Sequence, residues 1–187
     1  MVVPVGMPTD IHSLIYGENP MALLMNMKID GVLGDSKNYQ HKGWCEVLSW
    51  NWGMTSNRKA TNGKEGDKTS LNELSVIKSI GIDSAIIRSF FAQGKIIPGI
   101  DFSIIPSVGK KEIQTKYIDI RLEDVIIKSI VTGGSIDDNF FKEHITLLFD
   151  RIRFEYSINP VRDAEDADSV TVNGFNWNIS GNTEWQN

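Results

Sequence analysis

Three histidines, one cysteine, a short acidic run and a glycine pair are the residues here whose types invite chemistry, and their spacing argues against it. His12 lies in an opening segment rich in turn formers, His41 in a polar turn, and His144 at the start of a strand-like run. None has a carboxylate or cysteine at a metal-ligand spacing, so solvation or local hydrogen bonding accounts for each. Cys45 has no recognisable partner to activate its thiol. The run Asp163-Ala164-Glu165-Asp166-Ala167-Asp168 is acidic but lacks the calcium-loop pattern, and reads as a solvated loop. Gly133-Gly134-Ser135 follows a strand without the lysine and helix of a phosphate loop; those glycines serve a tight bend. The sequence makes no case for an enzyme, a cofactor or a bound metal.

Composition narrows the class. A chain of 187 residues, 41% hydrophobic and 23% charged, is an ordinary globular chain able to bury one substantial core. Its formal charge of −5, from 19 basic and 24 acidic residues, argues against nucleic-acid binding, which needs a concentrated basic face. A lone cysteine forbids an intrachain disulfide and fits folding in a reducing cytoplasm. Residues 1–20 lack the charged start and apolar middle of a secretory signal, and no apolar run reaches membrane-spanning length. Export, if it occurs, is expected to use a machine that needs no cleaved signal, without membrane insertion.

The elements that would position any site are mostly strands. Period-2 runs occupy residues 22–29, 44–52, 72–79, 101–106, 113–122, 125–132, 144–156 and 169–179, most of them separated by Gly, Pro or Asn turn formers. One run has two faces with different jobs. Leu48, Trp50 and Trp52 alternate with Val47, Ser49 and Asn51, so the first set is expected in the core. The other face ends in small uncharged groups suited to water or to a loosely held partner. A single segment breaks the period: Asp83 is placed to cap a helix over 84–93, with Gly94 to end it and an apolar stripe of Ile86, Ile87, Phe90 and Phe91. This helix is expected to plug one end or side of the β structure. The fold class is therefore all-β, a small barrel or rolled sandwich of about eight strands with one helix. Residues 21–187 form the domain, and residues 1–20 are either an arm lying on a neighbouring subunit or a stretch upstream of a natural start at Met21.

The strand Leu48-Ser49-Trp50-Asn51-Trp52-Gly53-Met54 and its surroundings resemble the Hcp family, the haemolysin-coregulated proteins of type VI secretion systems. The same order runs through Lys28-Ile29-Asp30-Gly31, Gly34-Asp35-Ser36-Lys37, His41-Lys42-Gly43, Ser129-Ile130-Val131-Thr132-Gly133-Gly134-Ser135, Ile145-Thr146-Leu147-Leu148-Phe149, Glu155-Tyr156 and Gly174-Phe175-Asn176-Trp177-Asn178-Ile179. The chain departs from that pattern in residues 1–20, in an Asn-, Lys- and Thr-rich loop after Met54, in segment 136–141, more apolar than the family's usual Gly-rich stretch, and in the acidic run 163–168.

That resemblance implies a homohexameric ring stacking into a hollow tube, tipped by a spike protein of the VgrG family, propelled by a contractile sheath, and carrying effector proteins in its lumen. It implies assembly in the bacterial cytoplasm followed by secretion or delivery into target cells. Within such a ring Ser49 and Asn51 are the expected lumen-facing residues, with Leu48, Trp50 and Trp52 facing the core. The loop 54–70, with Arg58, Lys59, Lys64 and Lys68 against Glu65 and Asp67 (formal +2), is the expected ring contact. Residues 159–168, at formal −3, either complement it or form an independent solvated loop. Two other classes remain open on sequence alone: a phage-type tail tube, and a monomeric β-sandwich binding module or hydrolase.

Overall fold

The computed structural model describes residues 23–56, 69–106, 118–137, 140–158 and 171–185. Its frame is a long strand, β8 (Ile118–Gly133), which belongs to two sheets. The first half of β8 pairs with β7 (Ile97–Pro106) on one edge and β10 (Arg151–Ile158) on the other. The second half pairs with β9 (Lys142–Leu148). From β7 the first sheet continues to β1 (Leu23–Ile29) and β2 (Cys45–Glu46), and from β10 to β11 (Thr171–Asn178) and β12 (Thr183–Glu184). From β9 the second sheet continues to β6 (Leu74–Ser79) and β3 (Ser49–Asn51). A separate hairpin, β4 (Met54–Ser56) and β5 (Thr69–Leu71), projects from the end of β3. All these pairings are antiparallel. The sheets do not close into a barrel; the fold is the rolled-sandwich alternative.

Several strand boundaries move. The expected break between strands 113–122 and 125–132 is a bend within β8, because Asp124 takes a left-handed backbone, φ 53°, that aspartate tolerates better than most residues. Arg151 holds that bend, its Nη2 lying 2.7 Å from Asp124 and 3.2 Å from Glu123. The single strand expected over 144–156 is instead β9 and β10, interrupted at Phe149–Asp150, where the Asp150 N–H donates to the Glu123 carbonyl at 3.1 Å.

The strand 44–52 also divides. Cys45 and Glu46 pair with β1, whereas Ser49–Asn51 pair with β6. Val47 N–H donates to Met25 O at 3.0 Å and Leu48 N–H to Ile77 O at 2.8 Å, so the chain changes sheets between adjacent residues. The side-chain phase slips by one residue there. Val47 turns inward, 6% exposed, and Leu48 turns out at 40%, which corrects its placement in the core. Trp50 and Trp52 resume the expected phase and pack against the core cluster. Trp52 lies near-parallel to Phe154 at 6.3 Å and also meets Phe175, which in turn stacks on Trp177 at 6.1 Å.

The core between the sheets is built by Ile, Val, Leu and Phe from the inward phase of each strand, including Ile100, Phe102, Ile120, Leu122, Ile145 and Leu147. Each such side chain contributes on the order of 1.5–3 kcal/mol by leaving water. Helix α1 (Ser84–Ala92) ends where expected: Gly94 has φ 58°, and the Gly94 and Lys95 N–H groups close the last turn onto Phe91 and Phe90 carbonyls. Two details differ. Asp83 makes no side-chain cap, because its carboxylate is engaged by Lys78. Of the apolar stripe, Ile87 is buried and Phe90 packs on the core, while Ile86 and Phe91 remain about two-fifths exposed. The helix therefore lies along the side of the sandwich, tied to β8 by the Arg88 Nη2 hydrogen bond to Thr132 Oγ1 at 2.8 Å.

Candidate functional site

The outward face of the second sheet carries the expected lumen residues, and strand register gives them company. Asn51 is opposite Ser75, Ser75 opposite Thr146, and Thr146 opposite Ser129, a row of neutral hydrogen-bonding side chains across four strands. The next row runs Ser49, Ile77, His144 and Val131. Between them Trp50, Val76, Ile145 and Ile130 form an apolar row directed to the core side. Ser49 and Asn51 are both exposed, while Trp50 and Trp52 pack against the core. Ser75, Thr146 and Ser129 were not singled out by the sequence reading; only pairing across strands reveals that they extend the Asn51 row.

Behind this face lies a buried ionic cluster. Lys78 and Glu143 are directly opposite on β6 and β9, 1% and 0% exposed. Lys78 Nζ donates to Glu143 Oε1 at 3.0 Å, to Asp83 Oδ1 at 3.0 Å and to the Ser79 carbonyl at 2.7 Å. Ser84 Oγ donates to Glu143 Oε1 at 2.7 Å, and Arg88 Nη2 sits 2.9 Å from Glu143 Oε2. Burial is the largest single influence and works to lower the Lys78 pKa, but the hydrogen bonds and charges of Asp83 and Glu143 together outweigh it and leave the value raised. The cluster joins α1 to both strands. A phase signal was present: Lys78 follows Leu74 and Val76, and Glu143 precedes Ile145 and Leu147, each in the inward register.

Cys45 adjoins this cluster, and the other chemistry-bearing residues are dispersed. Cys45 is buried, and burial followed by a hydrogen bond involving Asp83 pushes its thiol pKa up, away from reactivity. His41 is buried edge-on against Trp44, ring centroids 4.6 Å apart, whereas His144 is exposed. Among the described residues no group of His, Cys, Asp and Glu is placed to hold a metal ion, and no helix is long and apolar enough to cross a membrane. His12, the ring-contact residues Arg58, Lys59, Lys64 and Lys68, and the acidic run 163–168 lie outside the described residues. The loop's described base is the β4–β5 hairpin, with Met54 half exposed.

Comparison with known proteins agrees with this architecture. The family model described as "Type VI secretion system effector, Hcp" matches residues 26–156. Protein hcp1 of Pseudomonas aeruginosa is 30% identical over 166 residues, covering 88% of this chain and 99% of that protein. Among solved structures, Hcp1 of Salmonella typhimurium is 23% identical with a TM-score of 0.69, over 88% of this chain and 100% of the other. A type VI secretion system effector from Yersinia pestis is 25% identical with a TM-score of 0.65, over 83% and 99%. The Salmonella likeness speaks to the fold; the family match and the Pseudomonas relative speak to descent. The chain belongs to the Hcp family of type VI secretion system proteins.

Proposed function

We propose that this type VI secretion tube subunit works as a ring of six copies whose outward second-sheet face, with Ser49 and Asn51, lines a central channel. The observation that supports the lining is the Asn51–Ser75–Thr146–Ser129 row: exposed or half-exposed, neutral, and continuous across four strands. Such a surface hydrates readily and presents no strong trap to a passing or carried protein. Rings stack into a tube through the β4–β5 hairpin and its loop 54–70, which bear Arg58, Lys59, Lys64 and Lys68. A spike protein of the VgrG family tips that tube, a contractile sheath propels it, and effectors travel in its lumen from the bacterial cytoplasm to the exterior or a target cell. The subunit acts by shape and contact, with no catalytic step. Mass measurement and particle imaging of purified protein test the assembly: six-subunit rings with a central hole are expected, and a chain that stays monomeric at high concentration overturns it.

A further inference from the structure

The outward face of the second sheet ends, at the β8–β9 hairpin, in a shallow hollow of about 380 Å³ bounded by Val131, Gly133, Gly134, Ser135, Lys142 and His144. One wall is apolar and open. Val131 is 63% exposed, and a Cβ built on Gly133 would meet nothing within 4 Å. The opposite wall is cationic or hydrogen-bond donating, since Lys142 and His144 point outward from alternate positions of β9. Glu143, between them, points inward and is engaged by Lys78 and Arg88, so it does not neutralise the hollow. Lys128, farther back along β8, is matched by Glu73, and the Lys142 ammonium lies 5.5 Å from the centre of the Phe140 ring. Among the described residues neither Lys142 nor His144 is ion-paired with a carboxylate. A chain of formal charge −5 thus presents a basic, partly apolar recess beside its neutral row.

We infer that this hollow binds an acidic, partly apolar peptide segment of the carried protein. Its carboxylates meet the Lys142 ammonium and an N–H of His144, and an aliphatic side chain rests on Val131. This rests on the reading of the face as a channel lining, and a ring repeats the recess around the channel, so weak single contacts add through multivalency. Charge complementarity of this kind selects cargo and falls with salt.

The test uses the full chain and two fluorescein-labelled peptides, one alternating Glu and Leu, the other Lys and Leu, followed by anisotropy. The Glu–Leu peptide is expected to bind, more weakly as salt rises, and the Lys–Leu peptide not to bind. Lys142→Glu with His144→Glu should weaken binding by at least about tenfold, while Lys42→Glu, on an exposed turn elsewhere, should leave it unchanged. Lys142→Gln repeats the loss if the double reversal fails to fold. Equal binding of both peptides, no binding, or binding retained in the Lys142 variants overturns the inference. Mass measurement on the same samples separates the two readings. Rings without peptide binding remove the hollow and keep the tube; acidic-peptide binding by a chain that stays monomeric removes the tube and keeps the hollow.

Discussion

Lys78 shows how one residue ties a helix to a sheet. Its ammonium is removed from water and surrounded by two carboxylates, a carbonyl and a hydroxyl, with Arg88 balancing the second carboxylate. Such a cluster is worth little against an apolar substitute of the whole set, but removing one partner leaves charge buried and unmatched. Lys78→Met is therefore expected to lose about 3–5 kcal/mol of unfolding free energy in urea titrations. The pH sign follows from the raised folded-state pKa. The stabilisation is complete below the ordinary lysine value of 10.5 and is lost as pH rises through the higher folded value. Wild-type stability should thus fall at strongly alkaline pH along a limb that Lys78→Met lacks. A second pair of substitutions separates the faces of β3. Trp50 is half-buried, so Trp50→Ala should cost about 2–4 kcal/mol, below the full range for a completely buried Trp. Asn51→Gln should leave the melting temperature within a degree or so and keep rings intact while reducing effector co-purification. If Asn51→Gln unfolds the subunit, the facing is wrong.

At the scale of elements, legibility tracked how far a pattern depends on distant pairing. Helix α1 was readable because its stop signal, Gly94, and its polar flanks are local. The split of its apolar stripe was not, since only contact with the sheets tells Ile87 from Ile86. Ile87→Ala is accordingly expected to destabilise by about 2–4 kcal/mol, and Ile86→Ala by less than about 0.5 kcal/mol in the free subunit, compared by thermal melts. The slip at Val47 and Leu48 was invisible for the same reason. The adjacent apolar pair Val47-Leu48 is compatible with either residue turning inward, and only the change of partner from β1 to β6 decides between them. The turn at Asp124 misled in the opposite direction, because a polar pair that ends many strands here only bends one.

For the whole molecule, strand periodicity carried the fold class and the order of the family's segments carried descent, while surface assignments depended on register across strands. Within the loop 54–70, the described strands β4 and β5 pair with each other, outside the two sheets that hold the core. Shortening it should leave the melting temperature of the subunit unchanged within about 2 °C while abolishing tubes in electron micrographs. Unfolding on shortening would place the loop in the core. Cys45, buried on β2 beside β1 and held as a thiol, has a practical corollary. The native chain offers no accessible thiol to maleimide dyes. A single cysteine introduced on its surface would be the one handle such reagents find, so individual subunits can be marked and followed by fluorescence through assembly and discharge.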